Sequence, residues 1–278
     1  FMSGYMIGLN SHRPMPPDIL NATASFLARA RLGGPPTPAP PTDLEPSNQT
    51  DAYAIQFTLH DMLTAEGYGP TVGHKIGCTT PVMQEFLRID HPCAGEIFAS
   101  TVHHEQARIG LADHHHIGVE CEIAAILGRD LPGAEMPYDR TSVTPSVEAL
   151  TGAIELVDDR YEDYSALSAP TLIADDFFNA GVVLGRPNPE FRDLDLAAVR
   201  GTVHIDGEPA GSGVGSDILG HPLDALAWLA NHRIALGRPL RAGEFVMLGS
   251  VVKTIFLDHA CTITIELEGL GSAAVVFE

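Results

Sequence analysis

Two glutamates stand one residue apart in a run that is otherwise apolar, Val119-Glu120-Cys121-Glu122-Ile123-Ala124-Ala125-Ile126-Leu127. In a strand their side chains share one face, about 6.5–7 Å apart along the backbone, while Cys121 and Ile123 take the other. A third, Glu155, sits in a second apolar run, Gly152-Ala153-Ile154-Glu155-Leu156-Val157. Glutamate is depleted in strands, and buried like charges resist joint ionisation. Three carboxylates on core strands therefore point to a compensating cation. An all-oxygen ligand set suits a hard ion, Mg2+ or Mn2+, better than zinc. The same spacing also fits the solvated face of an edge strand, and by itself it leaves both readings open.

Other residues offer complementary chemistry. Lys75 lies in a glycine-flanked apolar run, Thr71-Val72-Gly73-His74-Lys75-Ile76-Gly77. A lysine in a partly desolvated site loses its proton more easily and can serve as acid or base; the plainer alternative is a strand-end lysine whose ammonium reaches water. Leu172-Ile173-Ala174-Asp175-Asp176-Phe177-Phe178-Asn179 sets acids and an amide beside two aromatics, a composition for a pocket wall or for a turn. Asp158-Asp159-Arg160 follows the Glu155 run as either a surface charge cluster or support for that glutamate. Gly249-Ser250 ends a further strand-like run, where a backbone N–H and a hydroxyl could meet a substrate carboxylate, or simply form a turn.

Several chemistries are disfavoured. The net charge of −20 over 278 residues argues against nucleic acid and anionic lipid as partners. No apolar run is long enough to cross a bilayer, and the start of the chain lacks the pattern of a secretory leader. Cys78, Cys93, Cys121 and Cys261 form no C-x-x-C pair, so reduced thiols in a cytoplasmic protein are expected. Of the 13 histidines, the run His114-His115-His116 reads as loop, since neighbours in a strand face opposite ways. Gly211-Ser212-Gly213-Val214-Gly215-Ser216 follows a hairpin and opens no long helix, which removes it as a phosphate loop. No G-x-S-x-G elbow is present.

The elements that would carry these residues change character near residue 70. The pattern predicts a helix over 16–31, with Ile19, Phe26 and Leu27 on one face. An irregular stretch follows, holding Pro35, Pro36, Pro38, Pro40, Pro41 and Pro46. A second helix over 51–66 is predicted, capped by Thr50 or Asp51 and stopped at Gly67. Short strand-like runs dominate from there on: 71–76, 119–127, 152–157, 181–184, 202–205, 246–248, 254–256, 262–267 and 273–277. Asp206-Gly207 marks a hairpin. One helix interrupts them, Pro222–Leu236, closed by Gly237. The expected class is α+β, in two parts: a helical N-terminal segment with a proline-rich loop over 1–70, and a mainly β catalytic domain over 71–278.

The order of these motifs resembles the 2-keto-4-pentenoate hydratase branch of the fumarylacetoacetate hydrolase superfamily. The similar stretches are Asp51–Gln56, Gly73–Gly77, Val119–Leu131, Ala153–Arg160, Ile173–Gly185, Gly220–Asn231 and Gly269–Ser272. The resemblance implies a mixed β-sandwich or roll, a Mg2+ or Mn2+ ion on Glu120, Glu122 and Glu155, a catalytic Lys75, and a homo-oligomer. It also implies that Asp176, Phe178, Asn179 and Ser250 meet the substrate. The chain departs from the pattern where relatives often read I-A-D-N-A-S-S-G; here Asp176-Phe177-Phe178-Asn179 intervenes. Cys93 also stands where relatives often carry an acid.

A 2-oxo acid chelates a cation through its carboxylate and 2-oxo oxygen, and the ion stabilises the enolate formed at the neighbouring carbon. The implied reaction is hydration of a 2-hydroxy-2,4-dienoate to a 4-hydroxy-2-oxo acid in aromatic catabolism. The same enolate serves two alternatives, decarboxylation of a 4-oxalocrotonate-type acid and C–C hydrolysis of an acylpyruvate. The hydrolase alternative is weakened because no histidine here has a glutamate three residues on. A binding protein with a dead pocket is the non-enzymatic alternative.

Overall fold

A computed structural model describes residues 14–278, so the leader expectation and residues 1–13 of the helical segment lie outside the described residues. Helix α1 (Pro17–Arg31) opens on a proline, whose missing N–H is no loss in a first turn, and buries Thr23, Ala24, Phe26, Leu27, Ala28 and Ala30. Helix α2 (Gln49–Leu63) starts earlier than the sequence pattern suggests. Its cap is Asn48, in extended conformation, whose side chain accepts from the Asp51 amide at 3.0 Å; Thr50 and Asp51 fall inside the first turn. The helix passes into a wider turn over Thr64–Tyr68, where Gly67 takes φ +100° and stops it as expected. Between the two helices the proline-rich loop is tied down at Thr37, whose amide donates to the Arg160 carbonyl at 2.7 Å.

Thirteen strands follow in one hydrogen-bonded sheet. They are β1 (Thr71–Gly77), β2 (Cys93–Phe98), β3 (Val102–His104), β4 (Gln106–Ile109), β5 (Ile117–Leu127), β6 (Val147–Asp158) and β7 (Asn179–Leu184). After them come β8 (Arg200–Ile205), β9 (Glu208–Val214), β10 (Phe245–Ser250), β11 (Ile255–Phe256), β12 (Thr262–Leu267) and β13 (Gly271–Phe277). The short helices α3 (Pro81–Leu87), α4 (Arg140–Val143) and α5 (Ala169–Ala174) lie between strands, and the longer α6 (Pro222–Ala235) precedes β10. The spatial order is β2-β1-β10-β5-β6-β7-β3-β4-β13-β12-β8-β9, with β11 beside β5. Most pairs are antiparallel; β1 with β10, β3 with β7 and β4 with β13 run parallel.

The sheet is too long to stay flat and folds on itself. Ile97 of β2 packs with Val182 and Leu184 of β7, at the two ends of the β2-to-β7 run, around a small core completed by Ala124, Ala153, Phe245 and Met247. The larger core fills the other face, where Cys121, Ile123 and Ile154 meet the returning strands and α6. This is a mixed roll with helices at its N-terminal end, as the expected fold class has it.

The sequence pattern misses β2, β3 and β4, marks β9 only through its hairpin turn, and passes over the short helices α3, α4 and α5. Strand β2 contains Gly95 and Glu96, both unusual in strands, and β3 and β4 are too short for an alternation to show. The hairpin is present: Asp206 and Gly207 take φ +50° and +87° between β8 and β9. The glycines after it serve close packing. A Cβ on Gly213 would lie 1.8 Å from the Val251 carbonyl oxygen, and one on Gly215 would lie 1.9 Å from that of Leu196. Gly213→Ala is therefore expected to destabilise the fold by about 1–3 kcal/mol, read as a lowered Tm; an unchanged melting curve would contradict the close approach.

Candidate active site

Strand register alone assembles the carboxylates. In β5–β6, Glu120 stands opposite Glu155 and Glu122 opposite Ala153, so all three glutamates project from one face. Strand β5 lies between β10 and β6, which removes the edge-strand alternative. Glu122 and Glu155 are each 1% exposed, and Glu120 is partly exposed. One carboxylate oxygen from each lies within 4.8 Å of the others, and among the described residues this is the one such cluster of metal-ligating side chains.

Lys75 reaches the same face from β1. It pairs with Met247, which pairs with Ala124. Lys75 and Glu155 are three strands apart, about 14 Å across a flat sheet, and Glu155 lies about 13 Å further along, past the Thr151 that pairs with Ala124. The curling of the roll and the length of the two side chains bring Lys75 Nζ to 3.2 Å from Glu155 Oε1. Nζ also donates to the Phe177 carbonyl at 3.2 Å, and the Phe177 ring lies beneath it at 5.7 Å.

Each glutamate is held by a neighbour. The Gly249 backbone amide donates to Glu122 Oε2 at 3.0 Å, the Asn179 side-chain Nδ2 to Glu155 Oε1 at 2.9 Å, and the Thr254 hydroxyl to Glu120 Oε1. Glu155 Oε2 is buried with no partner among the described residues. Gly249 is required for this: it has φ +130°, and a Cβ there would meet the Thr79 hydroxyl at 2.7 Å.

The electrostatics follow from the crowding. Burial and then the charge of Glu155 raise the Glu120 carboxyl above its ordinary value. Burial, Glu155 and Glu120 together push Glu122 well above the usual range. Lys75 reverses the expectation of an easily lost proton. Burial pulls its value down, but Glu155, Glu120 and Glu122 outweigh burial and raise it. In the ion-free site the ammonium is the counter-charge for the glutamates.

The loop from Asp175 to Asn179 forms one wall. Asp176, Phe177 and Phe178 all take left-handed backbone conformations, with φ of +56°, +46° and +67°. Each such non-glycine residue costs about 1–3 kcal/mol and persists only where its surroundings enforce it. Two sets of buried charges do so. Arg31 Nε and Arg160 Nη2 bind the Asp175 carboxylate at 3.1 and 3.2 Å. Asp176 accepts from the Glu96 amide at 3.1 Å and from His60 Nε2 at 2.5 Å. His60 Nδ1 contacts Glu96 Oε2 at 3.0 Å, and Arg233 contacts Glu96 Oε1 at 2.5 Å.

The remaining residues are distributed as follows. Asn179 binds Glu155. The carboxylate of Asp176 is engaged behind the wall, with no exposure. Phe178 turns away from Lys75 and packs edge-on against Tyr161 and Tyr164, leaving Phe177 nearest the ammonium. The Ser250 hydroxyl lies 2.6 Å from the Val252 carbonyl oxygen and 3.1 Å from that of Cys121. His115 and His116 donate their backbone amides to Asp158 and share no ion site. Asp158, Asp159 and Arg160 are buried. Cys78 and Cys93, distant in sequence, are brought close because Gly77 pairs with Cys93, and both are free, buried thiols.

Sequence reasoning passed over His60, Glu96 and Arg233. One signal was available: Tyr53, Gln56 and His60 recur at helical spacing on the buried side of α2. All three turn out to be polar clamps. The Tyr53 hydroxyl accepts from the Ala94 amide at 3.1 Å, and Gln56 donates to the Ala94 and Ile173 carbonyls at 2.9 and 2.7 Å.

With this geometry, comparison with known proteins is informative. Residues 87–277 match the fumarylacetoacetate (FAA) hydrolase C-terminal family. The chain belongs to the fumarylacetoacetate hydrolase family. It is 38% identical to a 2-keto-4-pentenoate hydratase of Burkholderia vietnamiensis, over 92% of this chain and 98% of that protein. It is 34% identical to a 2-hydroxyhexa-2,4-dienoate hydratase of Comamonas testosteroni, over 87% and 91% respectively. Its fold is similar to that of a 4-oxalocrotonate decarboxylase from Pseudomonas putida G7 complexed with magnesium and adipate. The TM-score is 0.89 at 24% identity, covering 96% of this chain and all of that one. Among the described residues no helix is long and apolar enough to cross a membrane.

The Asp176 end of the wall meets a charged His60. Burial pulls the imidazole down, but Asp176 and Glu96 outweigh it and hold it up at about 9, against 6.5 ordinarily. Its stabilisation is therefore complete below pH 6.5 and is lost as pH rises through about 9. The Tm of the wild type is expected to fall across that interval by more than the Tm of Asp176→Asn, in which the imidazolium loses one partner. Equal losses in the two proteins would contradict a charged His60.

Proposed function

We propose that the protein is a hydro-lyase that adds water to a 2-hydroxy-2,4-dienoate, giving a 4-hydroxy-2-oxo acid in aromatic catabolism. The single observation that supports this most is the convergence of Glu120, Glu122 and Glu155 with Lys75 on one buried face, in a chain so similar to named hydratases over most of its length. On this reading the mainly β part, 71–278, carries the reacting groups, and the helical segment, 1–70, braces them. We further infer a cytoplasmic homo-oligomer acting on a small 2-oxo acid.

The residues fit a divalent cation. Three carboxylates converge, two of them resist ionisation because burial and mutual repulsion outweigh the charge of Lys75, and Glu155 Oε2 is buried with no partner among the described residues. Glu120, Glu122 and Glu155 would hold Mg2+ or Mn2+. When bound, the ion supplies electrostatic stabilisation for the negative charge that develops on the oxygen at C2.

The chain's own groups do the rest. Lys75 Nζ, fixed by the Phe177 carbonyl, carries the proton delivered to C5 of the dienol as its 2-hydroxyl gives one up, leaving the conjugated 2-oxo-3-enoate. Water then adds across that double bond, its hydroxyl going to C4 and its proton to C3. Asn179 and the Gly249 amide keep Glu155 and Glu122 aimed at one point. Phe177 excludes water around the ammonium. Asp176 acts from behind the wall rather than on substrate, and Phe178 and Ser250 are assigned to the outer rim.

Turnover tests the reading. The dienol absorbance should disappear with Mg2+ present, giving a 4-hydroxy-2-oxo acid and no CO2. CO2 release would assign decarboxylation instead, and no loss with any dienol would sink both. Glu120→Ala should abolish Mg2+ binding and turnover together. Lys75→Ala should keep Mg2+ binding while lowering kcat by about 100-fold or more; full activity in that variant would remove Lys75 from the mechanism.

Mg2+ binding should also depend on pH. Glu120 and Glu122 have raised values, so the ion displaces protons and its affinity increases as pH rises. Calorimetry in buffers of different ionisation enthalpy measures the protons released. No release near neutral pH would contradict the crowded-carboxylate account.

A further inference from the structure

We propose that His60 is a positioning residue for Lys75, acting through the Asp176–Phe178 wall. The proposal rests on Lys75 being the proton-handling group in the hydratase reading.

The connection is continuous and buried. Arg233 Nη1 lies 2.5 Å from Glu96 Oε1, Glu96 Oε2 lies 3.0 Å from His60 Nδ1, and His60 Nε2 lies 2.5 Å from Asp176 Oδ2. The side chains of Arg233, Glu96, His60 and Asp176 are 8%, 3%, 5% and 1% exposed. The chain of contacts ends on the first of three successive left-handed residues. The carbonyl of the second, Phe177, receives the Lys75 proton, and the side chain just after the third, Asn179, orients Glu155. A lysine on a four-carbon stem has many rotamers. Here the Phe177 carbonyl is, among the described residues, the one neutral hydrogen-bond acceptor on its ammonium, so the direction of Nζ depends on where that carbonyl sits.

The strained wall is gripped at both of its acids. Asp175 is held by Arg31 and Arg160, which also bind the carbonyls of Asp175, Phe178 and Asn179. Among the described residues Asp176 has one side-chain partner at hydrogen-bond distance, His60, with Arg31 Nη2 farther off at 3.9 Å. Removing that imidazolium leaves Asp176 and Glu96, the latter still paired with Arg233, as two buried carboxylates facing the same gap. Their repulsion, opposed only by the more distant Arg31, then drives Asp176 outward. The Asp175 anchor remains, so the fold and the glutamate triad persist while the Phe177 carbonyl is released.

His60→Gln in the full chain tests this, with a crystal structure and kinetics read side by side. The expected structure keeps Glu120, Glu122 and Glu155 in place. One or more of residues 176–178 leaves the left-handed region, and the Lys75–Phe177 contact opens beyond hydrogen-bonding distance. The expected kinetics are a fall in kcat of about 100-fold with KM little changed, and Mg2+ affinity within about twofold of wild type. In a Lys75→Ala background, His60→Gln should cause no further loss. An unmoved wall, or the same loss with and without Lys75, overturns the proposal, since a merely structural histidine would act equally in both backgrounds. If His60→Gln does not fold, Asp176→Ala severs the same contact from the loop side and is read in the same way. Should the wild type turn over no dienol, the hydratase reading fails, and the crystal structure of the variant still decides the positioning role.

Discussion

Like-charge repulsion inside a β-sheet is the constraint around which this molecule is organised. The β5–β6 register sets Glu120 against Glu155 and puts Glu122 on the same face, where burial denies them the screening of water. Such an arrangement persists only with compensation, and every close neighbour supplies some. Lys75 brings a full positive charge across the roll, while Gly249, Asn179 and Thr254 bring hydrogen-bond donors. The glycine at 249, the register shift of β10 against β5 between Met247 and Ser250, and the curl of the whole sheet are intelligible as means of getting those donors to one place.

A second tier of buried charge holds the first. The wall over Lys75 adopts a backbone that no local preference favours, and it is kept there by two arginines on Asp175 and one histidine on Asp176. This explains why a helical segment accompanies a catalytic roll. Helix α1 contributes Arg31 and α2 contributes Tyr53, Gln56 and His60, a polar stripe on the buried side of a helix. Those groups fix β2 and the end of α5, which in turn fix the loop.

The sequence was legible wherever one element carried the information. Glu120 and Glu122 share a face by strand period, the Asp206-Gly207 hairpin follows from turn chemistry, and α1 and α6 follow from their prolines and apolar spacing. What it concealed lay between elements. Nothing local to His60 says that it meets Glu96 and Asp176, residues 36 and 116 positions away. Strand β2 was hidden because Gly95 and Glu96 are there for the site and not for the strand. The α2 cap was misjudged because Asn48, Thr50 and Asp51 are all good capping residues and only backbone conformation chooses among them. Phe177 and Phe178 look equivalent in sequence; a left-handed backbone turns one toward Lys75 and the other toward Tyr161 and Tyr164.

The central claim is that the three glutamates form a cation site, with Lys75 standing as their counter-charge until an ion arrives. Anomalous diffraction from crystals soaked in Mn2+ and oxalate tests it most directly. The account predicts one strong peak within ligand distance of Glu120, Glu122 and Glu155, with Lys75 Nζ withdrawn from Glu155 and still bound to the Phe177 carbonyl. A triad without a peak, or an ion bound elsewhere while Lys75 keeps its contact with Glu155, would contradict it.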